Sequence, residues 1–197
     1  MNKLEKEKEM EKIKKEIQLC SKCPLSQSRT NPVVGEGNLS ATVMFIGEAP
    51  GFNEDQTGHP FCGAAGKVLD ELLQSVNLLR KDIYITNILK CRPPQNRDPL
   101  PEEIKACAPY LNKQIEIIQP KIICSLGNYA TKFILEKYGL KEQIQGISKI
   151  HGKIFTINTL WNDLFIVPLY HPAVATYNPL MKKILLQDFQ IIKKILS

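Results

Sequence analysis

The sequence predicts an α/β protein in three layers, α/β/α, around a central, mainly parallel four-stranded sheet. Two observations carry that expectation. Four short runs are continuously apolar and rich in β-branched residues, and segments of helical period separate them. Strands that are apolar at every position are buried on both faces, the condition of a parallel sheet covered by its own crossover helices.

Residues 3–19 interleave Lys and Glu, so opposite charges fall three and four apart and support a helix. Its apolar stripe is thin (Leu4, Ile13, Ile17, Leu19), and the segment reads as a solvated helix leading into the body. Thr42-Val-Met-Phe-Ile46 is the first strand, and Ala64 to Val76 (AAGKVLDELLQSV) the helix that follows it. Ile83 to Thr86 is the second strand. Pro101 to Ile118 is a helix, with Pro101 suited to the first helical position and Glu102 and Glu103 to the positive end of the dipole. Lys121 to Leu126 is the third strand and Asn128 to Tyr138 a further helix. Ile147 to Asn158, with Gly152 central, reads as a hairpin or one more strand pair. Leu164 to Val167 is the fourth strand. Pro179 to Leu196 closes the chain as a helix with Met181, Ile184, Leu185, Ile192, Ile195 and Leu196 on one face. Lys182, Lys183, Lys193 and Lys194 fall mostly off that face, as packing on a sheet requires. No repeat, low-complexity tract or long linker interrupts the pattern, so residues 1–197 read as a single domain.

Composition narrows the function. Hydrophobic residues make up 43% and charged residues 23%, which excludes a disordered chain. No run reaches the ~18 apolar residues of a membrane span. The N-terminus has no apolar h-region of a secretory signal, and a cytoplasmic, non-membrane protein is expected. A net charge of +6 is compatible with a polyanionic partner without demanding one.

In such sheets the ligand lies outside the carboxyl ends of the strands. There the sequence puts Gly47-Glu-Ala-Pro-Gly51, Asn87, Gly127 and Tyr170-His-Pro-Ala173. The glycines and proline of 47–51 make a sharp turn that a ligand can approach, without the spacing of a P-loop or a dinucleotide fingerprint. The polar loop 52–66 (FNEDQTGHPFCGAAG) holds the acids Glu54 and Asp55 and sets Phe61 among Pro60 and Gly63, a place for a stacking ring as much as for a core one. Asn87 offers the donor and acceptor that a nucleobase edge needs. Lys90, Arg92 and Arg97 crowd the loop KCRPPQNR, which reads as solvated or as contacting phosphates. His171 is the histidine whose position converges with these residues. His59 and His151 read as surface or structural.

Cysteine supplies the last signal. Six are present, far below the ~8–10% of disulfide scaffolds. Cys20-Ser-Lys-Cys23 is a CxxC pair, and Cys91 and Cys107 form a second pair 15 residues apart. Two distant pairs suit a four-thiolate site tying the start of the chain to its middle. Soft thiolates select zinc or an iron–sulfur cluster, and spacing does not decide between them. Cys124, inside an apolar run, reads as a small buried residue.

Taken in order, CSKC (20–23), GEAPG (47–51), EDQTGHPFCGAAG (54–66), TNILKCRPPQNR (86–97), Cys107 and HPA (171–173) resemble the family 4, iron–sulfur uracil-DNA glycosylases of bacteria and archaea. The resemblance implies that fold and a monofunctional glycosylase. Such an enzyme releases uracil from single- or double-stranded DNA, leaves an abasic site and initiates base excision repair of deaminated cytosine. It implies Cys20, Cys23, Cys91 and Cys107 as ligands of a 4Fe-4S cluster. Gly47, Glu48 and Ala49 become a wall of the uracil pocket, Phe61 the ring stacked on the base, Asn87 the reader of its Watson–Crick edge, and His171 the group facing O2. Lys90, Arg92 and Arg97 become phosphate contacts. Because Ala49 has no basic group, Glu54, Asn96 or Glu48 is expected to orient the water, and Glu54 also to exclude the thymine methyl. After HPA the chain reads VATYNP, where related enzymes carry an apolar stretch with an arginine. Cys62 takes a place often filled by valine, a packing change. A monomer is expected. The competing expectation is a non-catalytic DNA-binding module with a four-cysteine metal site.

Overall fold

Val43 and Phe45 alternate with Met44 and Ile46 in one apolar run, yet the two pairs end in different cores, because a strand turns successive side chains to opposite faces. The computed structural model describes residues 1–158 and 163–196. Its strands are β1 (Glu36–Gly37), β2 (Val43–Gly47), β3 (Ile83–Asn87), β4 (Ile122–Leu126), β5 (Phe155–Asn158) and β6 (Asp163–Leu169). The helices are α1 (Lys3–Gln18), α2 (Leu25–Ser28), α3 (Phe52–Thr57), α4 (Ala64–Ser75), α5 (Pro101–Ile118), α6 (Gly127–Lys137), α7 (Ile147–Ile150), α8 (Val174–Tyr177) and α9 (Pro179–Leu196).

One mixed sheet runs in the order β1-β3-β2-β4-β6-β5. Among the described residues the predicted four strands become six. The four read from the sequence are its parallel neighbours, and β1 and β5 add antiparallel edges. Edge strands carry weaker apolar patterns: β1 is two residues long, and β5 alternates half-buried with exposed positions. That is why they escape a search for apolar runs. Ile147 to Asn158 is likewise not a hairpin in itself. It folds as α7 followed by β5, and β5 pairs with β6.

Helices cover both faces. Met44, Ile46, Tyr84 and Ile123 meet Ile13 and Ile17 of α1, Leu111 and Ile115 of α5, and Ile134 of α6. Phe45, Ile85, Cys124 and Val167 meet Leu69 and Leu73 of α4 and Leu185, Phe189 and Ile192 of α9. The α1 helix is more than a solvated lead-in. Met10, Ile13 and Ile17 are buried, and the Lys6 ammonium donates to the carbonyls of Leu39 and Ile118. Leu4 and Leu19, read as part of its stripe, point to solvent instead. On α9 the buried stripe is Leu185, Asp188, Phe189 and Ile192, while Met181, Ile184 and Ile195 are half-buried and Leu196 is exposed.

Candidate active site

The carboxyl ends of the parallel strands converge as expected. Gly47 and Asn87 are the facing final residues of β2 and β3, and the chain after β6 turns at once into Tyr170 and His171. Glu48, Ala49, Glu54, Phe61, Asn87, Asn96, Arg97 and His171 line one cavity of about 550 Å³. That volume suits a nucleotide-sized ligand. Pro93, Val174 and Tyr177 complete its rim, Tyr177 being 76% exposed.

Close approach explains Gly47. A Cβ there would stand 2.2 Å from Asn87 Oδ1 and 3.0 Å from Phe61 Cζ. Asn87 is buried, and its Oδ1 has no hydrogen-bond partner. A buried oxygen left unpaired costs about 1–3 kcal/mol, so the cavity holds an acceptor ready for a ligand's donor. Phe61 lies 5.5 Å from the His171 ring, centroid to centroid, with 27° between the planes. Its backbone is left-handed (φ 51°). Arg80, which no motif singles out, holds that conformation by donating to the carbonyls of Pro60 (3.1 Å) and Phe61 (2.5 Å) while paired with Asp70 and Glu36.

The titrating groups on the cavity stand in unlike surroundings. Burial pushes His171 down to about 4, against the opposing pull of the Glu54 charge, so its imidazole is neutral at pH 7. Its Nδ1 accepts from the Ala173 N–H at 3.2 Å, which leaves the proton on Nε2. Burial, and then the charge of Asp98, raise Glu48 to about 7. Glu54 Oε1 is taken by the N–H groups of Cys62 (3.1 Å) and Gly63 (3.3 Å), so this acid braces the turn that carries Phe61. Asn96 Oδ1 accepts from Arg92 Nε at 2.6 Å.

The three basic residues part company. Arg92 lies over the exposed Phe52 ring, and Arg97 grips Glu103 through both oxygens (2.6 and 3.0 Å). Lys90 is not a surface contact: it is 1% exposed, turned inward to Thr86, Asn87 and Gln114. Apolar neighbours Ile88 and Leu89 carry the segment beneath the surface after β3, and a phosphate has no access to it there. Cys62 is exposed, 3.2 Å from the Thr57 hydroxyl, and packs in no core. His59 pairs with Glu36, and His151 with Asp188, its ring tilted at 39° against Tyr170. Neither lines the cavity.

Cys20, Cys23, Cys91 and Cys107 line a second cavity with Arg29, Lys90 and Tyr110. All four are free thiols. Arg29 Nη1 donates to Cys91 Sγ and the Lys90 N–H to Cys107 Sγ, each at 3.2 Å. Such donors hold thiolates, while burial raises Cys91 and pushes Cys107 up to about 11. Among the described residues, no group of three or more His, Cys, Asp or Glu is drawn tightly enough around one point to hold a single metal ion. Cys124 is fully buried in β4, as read from the sequence.

The comparisons agree with this geometry. The uracil DNA glycosylase superfamily matches residues 34–190, and the chain belongs to that family. Within it, the chain is 50% identical to a type-4 uracil-DNA glycosylase of Sulfurisphaera tokodaii over 94% of this chain and 84% of that one. It is 44% identical to the type-4 enzyme of Archaeoglobus fulgidus over 92% and 90%, and 42% identical to that of Thermotoga maritima over 98% and 97%. No helix among the described residues is long and apolar enough to cross a membrane.

Proposed function

We propose that this chain is a uracil-DNA glycosylase, a hydrolase that frees uracil from DNA and leaves an abasic site for repair. The observation that carries the assignment is the meeting of the Phe61 ring, the Asn87 amide and the His171 imidazole on one cavity. Each does something a uracil demands.

The glycosidic bond is reached by turning the nucleotide out of the stack, at a cost of a few kcal/mol. Stacking on Phe61 returns about 1–3 kcal/mol of it. Asn87 Oδ1, unpaired in the free protein, accepts from uracil N3–H while its amide N–H donates to O4. Cytosine presents the opposite pattern at both atoms and is refused. As the N1–C1′ bond breaks, the electron pair moves into the base and gathers on O2. The His171 Nε2–H donates to it, and a neutral imidazole does so without surrendering its proton to solvent.

Glu48 takes the water. It is the acid in the cavity that is not committed to bracing a turn, and it is held near neutrality. A carboxylate there accepts a proton as the water oxygen bonds to C1′, and the proton then returns to the departing base. Glu54 shapes the cavity around the C5 edge, where a thymine methyl would collide with the braced turn. Arg92 and Arg97 supply the rim's positive charge toward the DNA backbone.

The cysteine set fits a 4Fe-4S cluster. Four free thiols line one cavity, with N–H donors on two of the sulfurs. Cys20 and Cys23 after α1, Cys91 beyond β3 and Cys107 on α5 would hold the cluster, which would supply a crosslink between these segments and no step of bond cleavage.

The test is a uracil-containing oligonucleotide treated with the protein and then with alkali. Strand breakage is expected, with His171→Ala slowing release about 10²–10³-fold and Asn87→Ala also impaired. An intact strand with the unaltered protein overturns the assignment.

A further inference from the structure

Lys90 lies between the two sites. An ammonium has three N–H bonds, and this one meets three acceptors: Thr86 Oγ1 at 2.6 Å, the Asn87 carbonyl at 2.7 Å and Gln114 Oε1 at 2.8 Å. Two of those acceptors are themselves tied down. The Thr86 hydroxyl donates to the Val34 carbonyl at 2.9 Å. Gln114 Nε2 donates to the same carbonyl at 2.9 Å and to the Tyr84 hydroxyl at 3.2 Å. Every hydrogen on the ammonium is committed, and the network is buried. On its other side the backbone N–H of Lys90 donates to Cys107 Sγ.

Asn87 is the last residue of β3; the N–H groups of Ile88 and Leu89 still donate to the Gly47 and Glu48 carbonyls on the β2 side, at 3.0 Å each, but on the other side no residue of β1 pairs with Asn87. Its carbonyl is where the Lys90 ammonium attaches. We infer that Lys90 is a positioning residue for base reading: it anchors the Asn87 carbonyl to Thr86 and Gln114, and so fixes where the Asn87 amide stands in the cavity without touching the substrate. This rests on the uracil reading of that cavity.

Lys90→Met keeps a long apolar stem and leaves three acceptors without a donor. The full-length protein, purified with its metal, is tested for binding to an oligonucleotide carrying one 2′-fluorinated deoxyuridine, which resists hydrolysis. The same oligonucleotide with thymidine is the reference. The unaltered protein is expected to prefer the former. Lys90→Met is expected to lower that preference by about tenfold, with iron content and affinity for the thymidine oligonucleotide unchanged. Asn87→Ala also lowers it, and adding Lys90→Met to Asn87→Ala lowers it no further. Thr86→Val, which removes one acceptor, gives a smaller loss that also vanishes in the Asn87→Ala background, and it decides the matter if Lys90→Met does not fold. An undiminished preference, a loss that persists in the Asn87→Ala background, or a loss of iron in step with the loss of preference overturns the inference. If the unaltered protein shows no preference for the deoxyuridine analogue, the uracil reading falls instead.

Discussion

Single side chains divide the reaction through their surroundings more than through their chemical type. His171 and Glu48 sit on the same cavity, yet burial pushes one down to about 4 and the other up to about 7. With Glu48 as the base, uracil release requires its ionised form, which predominates above pH 7 and is lost below it. His171 stays neutral across that whole interval and adds no limb of its own. Single-turnover release is therefore expected to rise with pH through about 7, and Glu48→Gln to flatten the profile at a low rate; an unchanged limb in that variant assigns it elsewhere. Phe61→Ala removes the stacking surface. With about 1–3 kcal/mol per stacked base, discrimination between uracil-bearing and plain DNA should fall roughly 5- to 150-fold in a binding titration.

At the scale of elements, the end of β2 and the start of α5 are where small changes propagate. Gly47→Ala would put a methyl 2.2 Å from Asn87 Oδ1, so the amide is displaced while the β2–β3 rungs below it remain. The expected result is lost uracil release with little change in melting temperature. Glu103 does the converse. Its carboxylate accepts from the Leu100 N–H at 2.9 Å, capping α5, and grips Arg97. Glu103→Ala should cost about 1–2 kcal/mol in urea unfolding and loosen the 97–103 segment between the cavity rim and Cys107. Gln95 and Asn96, both left-handed with φ 55°, lie in the same loop. Backbone strain of about 1–3 kcal/mol per such residue survives only where the surroundings hold it. Here the Arg92–Asn96 contact does so.

For the whole molecule, the cysteine set is the link between the outer helix and the catalytic edge. Cys20 and Cys23 follow α1, Cys107 lies on α5, and Cys91 sits four residues beyond Asn87. With the cysteine set read as the proposed cluster site, removing the metal should abolish a brown absorbance at about 400 nm, lower the unfolding temperature and weaken DNA binding. The cleavage rate within whatever complex still forms is expected to stay normal. A cleavage step that fails while binding persists, or an iron redox change during turnover, contradicts a structural role.

The apolar runs by themselves determined the parallel strands, because burial on both faces leaves few polar residues in them, Thr86, Asn87 and Ser125 being the buried exceptions. Spacing made two cysteine pairs suited to one site, and the fold brings all four to one cavity; the turn residues marked the mouth where Gly47, Asn87 and His171 meet. The edge strands stayed hidden, since a half-exposed strand looks like a loop in sequence. Local sequence also misled at Lys90: beside Arg92 it resembles a basic patch, but the path of the chain out of β3 drives it inward to three acceptors 3, 4 and 24 residues away. Arg80 carried no signal at all, as its partners Pro60 and Phe61 lie about twenty residues back. The division follows from range. Periodicity and turn chemistry are local and leave their mark in the sequence, whereas burial of a charge, the height of a carboxyl pKa and the closing of a cavity depend on groups that only folding brings together.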